Sequence, residues 1–245
     1  LVEGPQAVRE LARFRPGAVR DVYVREDAWV THADIVEAAQ RATRWVHPVT
    51  AEVSAALSRD SQGVCAVASA DAVSRELPEP SVGETLVVLA QGRDPGNVGT
   101  IIRTADAFGA VGVITVSGTV EATSPKVVRA SAGSVFHIPV CIVPSFEEAH
   151  ALIHRRSAAL LGTSGGAGSL DLSQMLAQGV SGRSRLSQSH AWVFGNEAKG
   201  LSGAEMRLCD ALVSIPMTGD AESLNVASAA TACLFASQTV RGMAL

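Results

Sequence analysis

The chain is poor in several residue types, and each shortage narrows what it can be. Among 245 residues there are one tyrosine, four cysteines and two lysines (Lys126 and Lys199), and aromatics make up only 4% of the total. Cys65, Cys141, Cys209 and Cys233 stand far apart, which excludes the paired spacing of zinc ribbons and redox dithiols and predicts reduced thiols, mostly in apolar surroundings. No apolar run approaches the roughly 20 residues of a membrane-spanning helix. Stretches such as Leu86 to Ala90 are strand-sized. Leu1-Val2-Glu3-Gly4 forms neither a basic nor an apolar leader region, so no signal peptide and a cytoplasmic location are expected. Since the first residue is not Met, a few native residues are expected before it. With lysine scarce, arginine supplies 18 of the 20 basic side chains. Arginine suits bidentate phosphate contacts and base stacking, although a GC-rich gene would produce the same bias. The net charge is −4, with 8 basic against 10 acidic residues over 1–72 and 12 against 14 over 73–245. Neither part is basic, so any nucleic-acid surface has to be a local patch.

What is present is apolar: 47% of the residues, ample for a buried core. The first part mixes helix and strand patterns. Gln6–Phe14 reads as a helix and Ala18–Val24 as a strand. Thr31 and Asp34 resemble a capping box opening a helix to about Arg44, Thr50 caps a short helix, and Val64–Ala68 is an apolar strand. Residues 69–84 are polar with two prolines, the best linker in the chain, and place the division at a domain over 1–72, a linker over 73–82 and a second domain over 83–245. The second part predicts strands at Thr85–Ala90, Gly112–Val116, Ile138–Val143, Ala158–Gly162, Ala191–Phe194 and Ala211–Ile215, with helices between them and a last helix from about Ser223 to Met243. Near-continuous apolar strands fit a parallel sheet covered on both faces, so the fold class is α/β. Periodicity does not give the strand order.

Three segments carry candidate chemistry. The first, Asp94-Pro-Gly-Asn97-Val-Gly-Thr-Ile-Ile-Arg103-Thr-Ala105, is turn chemistry leading into a helix for which Asn97 is a candidate cap. Val98, Ile101, Ile102, Ala105 and Phe108 make its apolar stripe and leave Asn97 and Arg103 off it. Taken alone, a capped helix with a solvated arginine is an equally good reading. The second, Trp192-Val-Phe-Gly195-Asn-Glu197-Ala198-Lys-Gly200, ends a strand in a glycine with a carboxylate two residues on, where open α/β sheets place ligands. An ordinary strand-to-helix turn, with Gly195 at positive φ, is the plainer alternative. The third, Ile215-Pro-Met217-Thr-Gly-Asp-Ala-Glu-Ser223-Leu224-Asn225-Val-Ala, puts Ser223 and Asn225 at a helix cap and first turn, where free N–H groups face outward. Its helix is rich in small residues (Ala227, Ala229, Ala230, Ala232) that permit close packing.

In this order the three segments resemble the motifs of the SpoU/TrmH RNA methyltransferases over roughly residues 83–245, the one departure being Ala198 where that family commonly has glycine. The resemblance implies a SPOUT domain with a deep trefoil knot, an S-adenosylmethionine pocket within it, a homodimer and no metal. It implies that Arg103 contacts the reacting ribose 2′-hydroxyl or its phosphate, with Asn97, Glu197, Ser223 and Asn225 completing the catalytic site. Gly195, Ile215, Met217 and Leu224 are the implied cofactor contacts, through main chain and apolar walls. Because guanidinium groups keep their proton, Arg103 reads better as an electrostatic organiser than as a base. Glu3-Gly-Pro-Gln-Ala-Val-Arg-Glu10 and Ser61-Gln-Gly-Val64 are similar to the ribosomal-L30e-like domain of rRNA-modifying members. This points to RNA, 23S rRNA ahead of tRNA, as the partner.

Rival readings exist. Gly162-Thr-Ser164-Gly-Gly166 fits a nucleophile elbow, and Asp171 and His190 follow in hydrolase order, although so short a Gly/Ser pattern arises easily by chance. Otherwise the loop is expected to flank the RNA or cofactor entrance. A catalytically silent RNA-binding protein is a third possibility. Ser181-Gly-Arg183-Ser-Arg185 reads equally as a phosphate-binding loop or a solvated one.

Overall fold

Two sheets organise the chain, and the computed structural model describes every residue except 167, 180, 181, 197, 244 and 245. The elements of the first part are β1 (Val2–Glu3), α1 (Pro5–Phe14), β2 (Val19–Arg25), α2 (Glu26–Thr31), α3 (Ala33–Ala42), β3 (Val46–Val49), α4 (Ala51–Leu57) and β4 (Val64–Ala68). They build a four-stranded sheet in the order β1-β4-β2-β3, with β2 antiparallel to β4 and parallel to β3. The expected capping box does not form. Thr31 closes α2 by donating its hydroxyl to the Asp27 carbonyl at 3.2 Å, and the Asp34 carboxylate is taken by Arg9 at 2.9 Å. The following helix therefore opens on His32 without a side-chain cap and stops at Ala42, so that residues up to Val49 are free to form edge strand β3. Thr50 does cap α4, accepting from the Val53 N–H.

The second part comprises β5 (Thr85–Leu89), α5 (Pro95–Ala107), β6 (Gly112–Val116), α6 (Pro125–Ala130), β7 (Val140–Val143), α7 (Phe146–Arg155), β8 (Ala159–Thr163), β9 (Leu170–Asp171), α8 (Leu172–Gly179), β10 (His190–Phe194), α9 (Gly203–Leu208), β11 (Ala211–Ser214) and α10 (Val226–Met243). Its seven strands are all parallel, in the order β7-β6-β5-β10-β8-β11-β9. Every residue of β5 and β10 is buried, because alternate side chains enter two separate cores. Val87, Leu89, Trp192 and Phe194 pack on the face covered by α5, α6, α8 and α10. Leu86, Val88, Ala191 and Val193 pack beneath α7 and α9. Gly99 lets α5 approach α6 closely: a Cβ there would lie 2.5 Å from the Ala130 Cβ.

The two parts are fastened to each other. Arg15 donates to the Phe136 carbonyl at 2.9 Å, Arg129 bridges Glu3 and Asp60, and His137 sits between Glu10 (3.1 Å) and Asp106 (2.8 Å). The polar segment between the sheets carries neither strand nor α-helix, yet it is tied down. Val140 donates to the Ser74 carbonyl, and Arg156 holds the Pro78 carbonyl and both oxygens of the Glu84 carboxylate (2.7 and 2.8 Å). Burial opposes ionisation of Glu84, but its hydrogen bonds from Arg156 and Ser81 outweigh burial and keep the carboxyl below its usual range. All four cysteines are free; burial raises the Cys65 thiol to about 11 and Cys209 to about 12, which leaves them protonated and unreactive. No helix among the described residues is long and apolar enough to cross a membrane.

Candidate active site

At the carboxyl ends of β8, β10 and β11 the chain encloses a cavity of about 420 Å³. Three loops form it: Thr163–Gly165 after β8, Gly195–Leu201 after β10, and the stretch from Ile215 to Val226 between β11 and α10. Open parallel sheets leave such crevices where the connections from adjacent strands depart to opposite faces, as here with α8 following β8 on one face and α9 following β10 on the other. Among the expected residues, Gly195, Ile215, Met217, Leu224 and Ser223 all line this cavity.

Gly195 is required for a reason the sequence does not show. It does not occupy the left-handed region. Instead, a Cβ at this position would fall 2.3 Å from the Gly200 carbonyl carbon and 2.5 Å from the Leu201 nitrogen. The loop folds back on itself, Asn196 and Gly200 exchanging backbone hydrogen bonds of 3.0 and 2.8 Å, and only a residue without a side chain fits under the fold. Gly200 makes the turn at φ 66°. The Asn196 Oδ1 accepts from the N–H groups of Ala198 (2.9 Å) and Lys199 (3.2 Å), so the departure at Ala198 is held within the turn. Glu197, expected in the catalytic set, lies outside the described residues. Beyond the loop, Ser202 and Glu205 form a capping box for α9, which turns Met206 towards the cavity.

The first segment enters from α5. Asp94, and not Asn97, is its cap: the Asp94 carboxylate accepts from the Gly96 and Asn97 N–H groups, both at 3.2 Å, with Pro95 preset for the first helical position. Asn97 therefore sits within the first turn with its side chain free for another partner, and it accepts from Asn225 Nδ2 at 3.0 Å. Asn225 in turn caps α10, its Oδ1 receiving the Ala227 N–H at 2.8 Å, so α10 begins three residues later than expected and Ser223 lies in the loop ahead of it. This one contact joins segments 128 positions apart. Arg103 stands farther along α5, exposed, with no hydrogen-bond or ion-pair partner among the described residues. It does not line the cavity.

The hydrolase constellation does not assemble. Ser164 Oγ accepts from the Gly166 N–H, and Asp171 caps α8 through the Ser173 and Gln174 N–H groups. His190 is buried in β10 and bonded to the Gln188 carbonyl (2.7 Å) and Ser237 Oγ (2.8 Å). The loop carrying Ser164 instead flanks the cavity. Sequence reading missed Met206 and Lys199 as lining residues; finding them needs the strand order, which places β8 between β10 and β11. The Arg183–Arg185 stretch precedes β10 and so lies at the opposite, amino end of the strands, with Ser184 and Leu186 buried. Its arginines are exposed there and do not face the cavity.

An open parallel sheet with a ligand-sized cavity and paired amides at its strand ends defines an α/β ligand-binding protein of the doubly wound kind. Comparison with known proteins narrows this. Residues 84–235 match the SpoU rRNA Methylase family, and the chain belongs to that family. It is 33% identical to the 23S rRNA (guanosine-2′-O-)-methyltransferase RlmB of Bordetella pertussis, over 97% of this chain and 96% of that protein. It is 30% identical to the 23S rRNA (guanosine(2553)-2′-O)-methyltransferase RlmP of Bacillus subtilis, over 96% and 86%. Among solved structures, the SpoU methyltransferase AviRb from Streptomyces viridochromogenes in complex with AdoMet superposes with a TM-score of 0.75 at 30% identity, covering 98% of this chain and 89% of that one.

Proposed function

We propose that this chain is an S-adenosylmethionine-dependent methyltransferase acting on a ribose 2′-hydroxyl of 23S rRNA. The observation that carries the reading is the Asn97–Asn225 hydrogen bond beside the strand-end cavity, which brings the first and third segments to one place. The cavity suits an adenosine-containing cofactor: its size falls within the ligand-pocket range, and backbone and apolar groups of Gly195, Ile215, Met217 and Leu224 wall it. These residues hold the cofactor, which when bound supplies an electrophilic methyl group. Asn97, Ser223 and Asn225 offer hydrogen-bonding groups at the mouth to orient the ribose. Exposed, and unpaired among the described residues, Arg103 clamps the RNA phosphate and stabilises charge on the reacting oxygen. Glu197 belongs to the same loop and completes the set.

The finer parts of the reading follow from it. The cofactor loops belong to a trefoil knot in a SPOUT domain, and residues 1–72 form an L30e-like domain that holds RNA, joined through residues 73–82. rRNA is favoured over tRNA because similarity to 23S rRNA enzymes extends over nearly the whole chain, including the first sheet. The protein acts as a cytoplasmic homodimer without metal. An apolar two-fold contact is supported by Phe235 on α10, 52% exposed and packed edge-on against Phe108 beside α5. Radiolabelled methyl transfer to 23S rRNA, followed by mapping of 2′-O-methylated positions, tests the activity. Transfer to tRNA alone, or none to any RNA, would overturn it; light scattering giving a 25.3 kDa particle would remove the dimer.

A further inference from the structure

In a chain with ten aromatic side chains, two of them, Tyr23 on β2 and Trp45 just ahead of β3, stand near the open edge of the first sheet. Tyr23 on β2 faces His47 on β3 across the parallel register, their rings 5.1 Å apart and 23° from parallel. His47 in turn lies 6.3 Å from the ring of Trp45, at 15°. The Arg44 guanidinium sits over Trp45, 4.7 Å from its centroid. Trp45 is half exposed, and Arg44 has no acidic partner among the described residues. Asp21 holds His47 Nε2 at 3.0 Å, which fixes the middle ring of the ladder. Strand β3 is the last of its sheet, so no neighbouring strand covers this edge.

We propose that the Tyr23–His47–Trp45 ladder, with Arg44, is a stacking site for unpaired bases of the RNA substrate. The identity of that substrate rests on the function proposed above. Unpaired bases stack on aromatic faces and guanidinium planes, whereas in a duplex those faces are hidden. A row of rings already near parallel, one of them pinned by a carboxylate, receives such a base with little ordering cost. The unneutralised Arg44 supplies the charge that a phosphate backbone requires, in a domain that is not basic as a whole. The ladder is therefore the local patch that the overall charge leaves room for, and its ligand is a single-stranded or looped segment.

Trp45 reports on itself. Of the other two tryptophans, Trp192 is fully buried and Trp29 partly so. The difference in emission between the full-length protein and its Trp45→Phe variant therefore isolates the exposed ring. A 12-nucleotide single-stranded oligoribonucleotide should quench this difference signal, and the same sequence as a duplex should not. Trp45→Ala should weaken binding of a 23S rRNA fragment about tenfold, with Trp45→Phe staying much nearer wild type and S-adenosylmethionine affinity unchanged in both. Equal quenching by duplex, or unaltered rRNA affinity in Trp45→Ala, overturns the proposal. So does a halved particle mass of Trp45→Ala in light scattering, which would assign this face to a second copy of the chain. If the wild type methylates no RNA, the proposed function falls, while the quenching result still judges the ladder.

Discussion

Acidification should weaken this protein through one buried imidazole. His190, at the start of β10, is fully enclosed against α10. The Gln188 carbonyl can only accept, so Nδ1 carries a proton, while Nε2 lies 2.8 Å from the Ser237 hydroxyl, which receives the Trp192 indole N–H at 2.8 Å and has the Cys233 carbonyl as an acceptor at 3.2 Å. Burial pulls the imidazole pKa from 6.5 down to about 4, the Gln188 carbonyl opposing and the Arg241 charge assisting. The folded value is depressed, so the stability is fully present above 6.5. It is lost as the pH falls towards 4, because the unfolded chain binds a proton that the folded chain refuses. Each pH unit in that window costs about 1.4 kcal/mol, and at pH 5 the loss is about 2 kcal/mol. Urea unfolding followed by Trp192 fluorescence at pH 7 and pH 5 should show it. His190→Gln, whatever its own stability, should flatten that difference by about the same 2 kcal/mol. An equal drop in the variant would refute the reasoning and move the sensitivity to the carboxylates.

Three further outcomes are expected. Arg156→Ala strands the buried Glu84 carboxylate and should cost about 3–5 kcal/mol at neutral pH by thermal denaturation. Because the Glu84 value is lowered, that penalty should shrink as pH falls below about 4.5. Gly195→Ala forces the 196–200 turn open, and calorimetry should find S-adenosylmethionine affinity reduced at least about tenfold while the melting temperature moves only as far as about 1–3 kcal/mol of overpacking allows. Arg103→Ala should lower methyl transfer much more than cofactor affinity; equal losses in the two assays would bring Arg103 into the cofactor cavity.

How much of this was legible in the sequence depended on the range of the interaction involved. The apolar runs of β5, β6 and β10 identified themselves because burial on both faces removes alternation, and that gave the α/β class. The three chemical segments were legible as turn-and-helix chemistry at strand ends. The caps were not: Asp94 and Asn97 both qualify by type, and in the fold Asp94 caps the helix while Asn97 is bonded to Asn225, 128 residues away. Strands β1, β3 and β9 escaped notice because two to four residues with a proline or a charge carry no period. Gly195 looked like a turn glycine, whereas its constraint is a backbone crossing that only the folded loop reveals.

The strand order has a consequence during synthesis. Strand β10 inserts between β5 and β8, so it pairs with a strand finished at Leu89 and another finished at Thr163. At ribosomal rates of about 5–20 residues per second, the β5 edge waits roughly 5–20 s for Phe194 to emerge. From the completion of Thr163 until Phe194 emerges, the apolar edges of β5 and β8 are both open, to each other and to neighbouring chains. A protein whose central strand arrives after both of its neighbours is most exposed to mispairing just before that strand emerges. Slowing translation across residues 164–189 should therefore lower soluble yield more than the same pause after Phe194.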